Sequence, residues 1–523
     1  METIVVAGAG TMGAGIACVA AAAGFSVELV DPDADARARA QGRIAKDAQR
    51  SGRSDVLPLV QCFPAIPAAT KAIAAIEAVP ETLSLKRAVL RSFASVLGEG
   101  ALLATNTSSL SVTDIAEGLP APERVIGLHF FNPATAMQLV EIVRAQQTSD
   151  ESAARARLLV ERFGKTGVLA GDTPGFIVNR IARPYYLQAM RAYEAGVAPM
   201  EDLDRLACGA GFRMGPFELM DLIGLDVNLA TSQSIYERTG LERLAPVEAQ
   251  RQLVRAGRLG RKTKVGFYDY AAGTPAREDA PPQPAGKLDP MERIAIVGGG
   301  GVALELQEML ASAGARVDLW LNEDLLDGIT LDTTIVIDVG DGSSDRSVLL
   351  AELDTLLSPE TVFFADAYAT DVEAAARRMN HPGRLVGYGI LGSLREQLAI
   401  EVVDADATGD DALQLAQELF EAIGRSVVLV SNRAGLFLGR MIGSIVNEAI
   451  ALVEEGAASA EDIDLAMRLG TNYPQGPIAW GREIGGDRIV RILQRVAGAE
   501  GSAFAPHRAL WVLDAQELAD AGA

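Results

Sequence analysis

The chain has 523 residues, with 47 Lys and Arg against 69 Asp and Glu and a net charge of −22. Nothing resembles a basic stripe against that acidity, which disfavours binding to nucleic acid or to an anionic membrane surface. Apolar residues at 49% and charged residues at 22% exclude disorder on a large scale.

At roughly 150 residues per domain, the length predicts three or four domains. Three cysteines, Cys18, Cys62 and Cys208, lie scattered without CxxC or CxxH spacing. That pattern argues against a disulfide framework and a structural zinc site, and it fits a reducing compartment. No metal site is expected. The chain runs at once into Ile4-Val5-Val6 without a signal-like n-region. The longest small apolar stretch, Ile16 to Phe25, is about half of what a bilayer span needs. A cytoplasmic location is the expectation.

The first predicted strand, Ile4–Ala7, runs into Gly8-x-Gly10-x-x-Gly13 and then an Ala-rich helix. Gly8 suits a tight turn, Gly10 lets the backbone approach a pyrophosphate, and Gly13 lets the helix pack on the strand. The helix start, with Thr11 and Met12, offers free N–H groups and a partial positive charge to phosphates. A second strand, Val27–Val30, ends in Asp31. A carboxylate there accepts both adenine-ribose hydroxyls and repels a 2′-phosphate, so NAD is favoured over NADP. A glycine-rich turn in a non-binding α/β domain is the alternative.

The strand Leu102–Thr105 is followed by the polar run Thr105-Asn106-Thr107-Ser108-Ser109. Its side chains can hydrogen-bond a reacting oxygen or the nicotinamide amide, or simply cap a helix before Leu110. The strand Val125–Phe130 carries His129 near its end, one of only three histidines. Strand ends on one edge of such a sheet are where ligands bind. Glu141 follows in the apolar strand LVEIV. A buried carboxylate needs a partner, and His129 is the natural one. The pair suits proton exchange with an alcohol; a structural hydrogen bond at a strand end is the plainer reading.

Strands alternating with helical periods predict a doubly wound parallel sheet. Asp172-Thr173-Pro174 reads as a helix start, and residues 175–260 read as helical throughout. Asn179 falls in an otherwise apolar helical turn. Residues 271–290, rich in Pro, Ala and Gly, read as a linker. Beyond it the pattern repeats. ERIAIVGGGG answers to TIVVAGAG, RLVGYGILGSLREQLAIEVV to RVIGLHFFNPATAMQLVEIV, and LFLGRMIGSIVNEAIALVEEG to GFIVNRIARPYYLQAMRAYEAG, the last two at one constant offset.

The expected domains are therefore 1–171, a Rossmann-type sheet domain; 172–270, a helical domain; 271–290, a linker; 291–431, a second Rossmann-like domain; and 432–523, a second helical domain. The fold class is α/β plus all-α, in tandem.

The motifs GAGTMGAGIA, EAVPETLSLK, ATNTSSL, GLHFFNP, LVEIV, DTPGFIVNR, GPFELMDLIGLD and KVGFYDY, in this order, span essentially all of residues 1–270. In them the chain resembles the L-3-hydroxyacyl-CoA dehydrogenases. The resemblance implies that His129 is the general base in oxidation and Glu141 orients it, while Ser108 and Asn179 hold the substrate oxygen and the thioester. It implies NAD bound by Gly8, Gly10, Thr11, Met12, Gly13 and Asp31, with Glu81, Lys86, Asn106 and Ser108 toward the nicotinamide side, and an acyl-CoA as the partner molecule. Long two-copy bacterial forms suggest 3-hydroxyadipyl-CoA or 3-hydroxybutyryl-CoA as substrate, in phenylacetate or fatty acid catabolism. Competing readings are a dehydrogenase of a free hydroxy acid and a non-catalytic NAD- or acyl-CoA-binding protein. The segment after Asn132-Pro133 departs from the family, with Gln138 in place of a lysine. Arg43, Lys46, Arg50 and Arg53 are candidates for the coenzyme A phosphates, or a solvated helix face.

The second half lacks this set. Ser108, His129 and Asn179 correspond to Tyr368, Gly389 and Gly439; Glu141 corresponds to Glu401; Gly8 and Gly10 correspond to Gly298 and Gly300; and Asp31 corresponds to Leu321. The second sheet domain is thus expected to be degenerate. The resemblance also implies pairing through helical domains, as a homodimer or as an intrachain pseudo-dimer.

Overall fold

The computed structural model describes residues 1–273, 288, 291–320, 329–340 and 346–513. Most of the predicted linker, Leu321 and residues 514–523 lie outside them.

Eight strands form the first sheet: β1 Thr3–Ala7, β2 Ser26–Val30, β3 Val60–Phe63, β4 Ala74–Glu77, β5 Leu102–Thr105, β6 Val125–Phe130, β7 Leu139–Arg144 and β8 Thr166–Gly171. Their spatial order is β3-β2-β1-β4-β5-β6-β7-β8. The order reverses between β1 and β4, which makes the crevice beyond their carboxyl ends the place for a dinucleotide. Helices cover both faces, so β4, β5 and β6 are buried along their whole length.

The sheet departs from the all-parallel expectation at one pair. β6 and β7 run antiparallel, with His129 directly opposite Glu141. The loop from Phe131 to Gln138 is too short for the crossover that a parallel pair requires. Their direct pairing puts both side chains on one face.

The second sheet repeats the plan with β9 Arg293–Gly298, β10 Arg316–Trp320, β11 Ile335–Val339, β12 Val362–Asp366, β13 Leu385–Gly389, β14 Ala399–Asp404 and β15 Ser426–Ser431. Its order is β10-β9-β11-β12-β13-β14-β15, with the antiparallel pair at β13 and β14. Each sheet is followed by helices. Both helical parts use one capping device. Asp204 accepts from Phe217 and Glu218 N–H at 2.9 and 3.1 Å, and Asp464 from Ile478 and Ala479 N–H at 2.7 and 3.0 Å. Each aspartate caps a helix that opens on Gly-Pro.

The two halves interlock about a pseudo-two-fold relation. Gly171 N–H donates to Ala457 O at 2.6 Å, and the matching Ser431 N–H to Val197 O at 2.9 Å. Gly470 packs on Leu139 of β7, as Gly209 packs on Ala399 of β14. A Cβ on Gly209 would lie 2.5 Å from Ala399 Cβ and 2.7 Å from its backbone N, so that approach requires glycine; one on Gly470 would meet the end of the Leu139 side chain at 2.8 Å. Tyr185, Phe212, Tyr473 and Trp480 join rings across the halves, and one apolar core runs through both. Among the described residues, no helix is long and apolar enough to cross a membrane.

Candidate active site

The glycine turn has the shape a pyrophosphate requires. Gly8 has φ +100, and a Cβ there would sit 2.6 Å from Ala78 O. A Cβ on Gly13 would lie 1.8 Å from Gly8 O, whereas one on Gly10 would meet nothing within 4 Å. Gly8 and Gly13 bring strand, turn and helix together, and Gly10 between them stays open to a ligand. Helix Thr11–Ala22 starts without a side-chain cap, which leaves its first N–H groups for an anion. Asp31, at the end of β2, accepts from Ala9 N–H at 2.8 Å and Asp33 N–H at 2.9 Å. Each carboxylate oxygen keeps a lone pair for ribose hydroxyls. These residues fit a bound NAD.

Beyond β4 lies a polar cluster centred on two carboxylates. Lys86 is fully buried, with Nζ 2.9 and 3.0 Å from the Glu77 oxygens and 3.2 Å from Glu81. It therefore lies beneath Glu81, and its charge acts on the crevice through that residue. Glu81 gathers the polar run of β5, accepting from the Thr107 hydroxyl at 2.6 Å, Ser108 N–H at 2.9 Å and Ser109 N–H at 3.0 Å. Partial burial opposes its charge, but the Lys86 ammonium, the Thr107 hydroxyl and the Ser108 N–H outweigh it and hold the carboxyl at about 2. Thr107 also accepts from Leu110 N–H at 3.0 Å, so part of the run does act as a local cap. Ser108 stays exposed on this loop. Asn106 Oδ1 accepts Phe130 N–H at 2.8 Å and ties the ends of β5 and β6 together.

The pair of His129 and Glu141 lies on the same edge. His129 Nδ1 is 2.6 Å from Glu141 Oε2, and both side chains are buried. Glu141 Oε1 accepts from Ile177 N–H at 3.0 Å and Val178 N–H at 2.8 Å. One carboxylate thus orients the imidazole and caps helix Val178–Ile181. The turn into that helix holds Phe176 at φ +50, an uncommon conformation for a bulky residue. Asn179 Nδ2 reaches 3.5 Å from Ser108 O, so the helix closes over the polar run. The loop after His129 returns to the cofactor helix, where Ala134 packs under Gly15. Glu81, Ser108, His129, Glu141 and Asn179 therefore share one crevice with the glycine turn.

One sequence expectation changes here, and one residue was missed. Asp172 does not open its own helix; its carboxylate accepts from Val112 and Thr113 N–H at 2.9 and 2.8 Å and from Ser111 Oγ at 2.6 Å, capping helix Val112–Ala116. The helix after it is capped by Glu141 instead. Glu77 was not singled out in the sequence. A lone acid ending the apolar run Ala74–Glu77 is the signal that marks it.

Arg43, Lys46 and Arg50 are exposed on helix Ala34–Ser51, and Arg53 pairs with Asp55 at 3.0 Å. A groove of about 500 Å³ lies between the cofactor helix and the loop after His129, lined among others by Arg50, Arg53, Thr135 and Lys165. Gln138 is exposed.

The second half shows what replaces this chemistry. The Tyr368 hydroxyl donates to Glu401 Oε2 at 2.6 Å, taking the place of the imidazole. A Cβ on Gly389 would lie 3.1 Å from the Tyr368 ring, and one on Gly439 would lie 2.6 Å from it. The ring thus occupies the space of the lost His and Asn. Glu401 still accepts from Phe437 N–H at 2.6 Å and caps helix Phe437–Glu454. At the switch point of this sheet Arg346 bonds Asp338 of β11 and reaches Val297 O of β9 at 3.5 Å.

Sequence comparison adds to this geometry. The chain matches the 3-hydroxyacyl-CoA dehydrogenase NAD binding domain over residues 3–173 and 332–433, and the C-terminal domain of that enzyme over 175–270 and 435–520. The chain belongs to the 3-hydroxyacyl-CoA dehydrogenase family. It is an NAD-dependent oxidoreductase of that family, built in tandem. It is 36% identical to the 3-hydroxyadipyl-CoA dehydrogenase of Escherichia coli K12, over 95% of this chain and 94% of that one. A probable 3-hydroxybutyryl-CoA dehydrogenase of Bacillus subtilis is 37% identical over 52% of this chain and 99% of its own. Among solved structures, a 3-hydroxybutyryl-CoA dehydrogenase of Escherichia coli K12 aligns with a TM-score of 0.77 at 34% identity, covering 98% of both chains.

Proposed function

We propose that the chain interconverts a (3S)-3-hydroxyacyl-CoA and its 3-oxoacyl-CoA, with His129 as the general base in oxidation and the general acid in reduction. The observation that carries this reading is the buried 2.6 Å contact between His129 Nδ1 and Glu141. With Nδ1 engaged, Nε2 is the nitrogen that takes or returns the hydroxyl proton. Ser108 and Asn179 converge from two domains on the same crevice and hold the substrate oxygen and thioester. NAD, bound at Gly8, Gly10 and Gly13 with Asp31 on its ribose, exchanges the hydride. Arg50, Arg53 and Lys165 outnumber Asp47 in the groove and give the acidic chain a local positive balance that suits coenzyme A phosphates.

For the acyl group we propose 3-hydroxyadipyl-CoA. The support is the relative so named, which matches the whole tandem chain. The test is NADH oxidation with 3-oxoadipyl-CoA, acetoacetyl-CoA and free 3-oxo acids, in the wild type and in His129→Ala. The thioesters turn over and the free acids do not, and 3-oxoadipyl-CoA gives the higher kcat/KM. Preference for acetoacetyl-CoA overturns the substrate; an unchanged rate in His129→Ala overturns the mechanism.

A further inference from the structure

The second half has lost its own site, yet its helix Phe437–Glu454 and the residue beyond it touch the residue next to Asn179. Arg180 is buried, and its Nε donates to Glu448 at 2.7 Å. Its two terminal nitrogens each lie 2.6 Å from Glu455, a bidentate pair. Arg243, also of the first half, donates to the other Glu448 oxygen at 2.8 Å. Arg180 sits in the one-turn helix whose first N–H groups hold Glu141 and whose Asn179 faces Ser108. The neighbouring Gly470 of the second half packs against Val178.

The pseudo-two-fold relation makes this support one-sided. At the same offset, Arg180 answers to Arg440, Glu448 to Gln188, and Glu455 to Ala195. Arg440 therefore finds no carboxylates on the first half at those places. It pairs with Glu500 of its own half, where the first half has Gly240. The catalytic half is braced from across the interface; the other half braces itself.

We infer that Glu448 and Glu455 are positioning residues for the dehydrogenase reaction, holding through Arg180 the helix start that orients Glu141 and presents Asn179. The inference rests on the proposed role of His129 and Glu141. A one-turn helix cannot hold its own geometry, and small misplacement of positioning groups costs up to about 100-fold in rate.

The experiment compares Glu448→Gln, Glu455→Gln and Glu500→Gln in the full chain. Glu448→Gln is expected to lower kcat by about 10–100-fold. Glu455→Gln, whose side chain is 42% exposed, produces a smaller fall. Both leave the KM for NADH unchanged and shift the pH profile of kcat/KM. Glu500→Gln removes a comparable ion pair, lowers Tm and leaves kcat and the profile alone. Equal kcat losses in Glu448→Gln and Glu500→Gln, or an unshifted profile with wild-type kcat, overturn the inference. If Glu448→Gln does not fold, Glu455→Gln decides by the same two readouts. If the wild type turns over no 3-oxoacyl-CoA, the functional reading fails on its own. The His129 ring signals in NMR then decide this one: they move in Glu455→Gln and not in Glu500→Gln if it holds, and their standing still overturns it.

Discussion

Glu141 in the first half and Glu401 in the second occupy one place in two copies of one fold, and they differ in the ring each holds. Both carboxylates cap the helix that opens the helical domain, Glu141 through Ile177 and Val178 and Glu401 through Phe437 and Leu438. That architectural duty persists without any chemistry. What distinguishes the halves is an imidazole against a phenol. His129 keeps a second ring nitrogen, Nε2, beyond the one that meets Glu141. Tyr368 is pushed well above the usual phenol range, by its burial first and by the Glu401 carboxylate next. Retention of a buried glutamate therefore says little about catalysis, whereas the ring beside it says much.

The sharpest way to break the comparison is to remove the imidazole of one half and the phenol hydroxyl of the other. His129→Ala is expected to lower kcat by roughly 10²–10⁴-fold, the usual worth of a positioned acid–base group. Tyr368→Phe leaves kcat unchanged and costs about 1–3 kcal/mol of stability, because it takes a hydrogen bond from buried Glu401. Steady-state kinetics and denaturant melts read the two effects. Equal kinetic losses would show that the second site contributes to turnover.

The glycine turns provide a second contrast. Ala303 stands where the first half has Gly13. Gly13→Ala would drive a methyl into Gly8 O, so we expect destabilisation of about 1–3 kcal/mol and a raised KM for NAD. Gly10→Ala meets no protein atom within 4 Å. It should leave stability within about 0.5 kcal/mol and raise the KM for NAD, since only the ligand feels the added methyl. A raised KM in the matching Gly300→Ala would place cofactor binding in the second half as well.

The smallest effect concerns pH. Burial raises the Glu401 carboxyl to about 7, against the pull of Tyr368 and two backbone N–H groups. The folded state holds this proton more tightly than the unfolded chain. Its stabilisation is present below about pH 4.5 and is lost as pH rises through 7. Asp204, also raised by burial to about 7, adds a slope of the same sign. Tm should therefore fall between pH 5 and 8 more steeply in the wild type than in Glu401→Gln. Parallel curves would show that Glu401 stays ionised throughout.

Much of the site was legible because its signals are local. Strand, glycine turn and helix lie within one short stretch, and Asp31 ends the next strand. His129 and Glu141 were legible as a pair because a short loop leaves two apolar strands little choice but to lie side by side. The antiparallel sense of that pair was missed, since the alternating strand–helix pattern around it argues for parallel strands. Asp172 misled, because a helix-start signature in sequence does not say which helix it caps.

By itself the sequence determined the repeated plan, the glycine turn, the pairing of His129 with Glu141 and the loss of that pair in the second half. Each of these is a matter of residue type at a spacing that local backbone geometry enforces. Only the tertiary structure decided that Tyr368 fills the vacated pocket, that Lys86 lies beneath Glu81, and that Glu448 and Glu455 brace Arg180. Those contacts join residues far apart in the chain. What selects them is the burial of charged and aromatic groups that must find partners wherever the fold brings them.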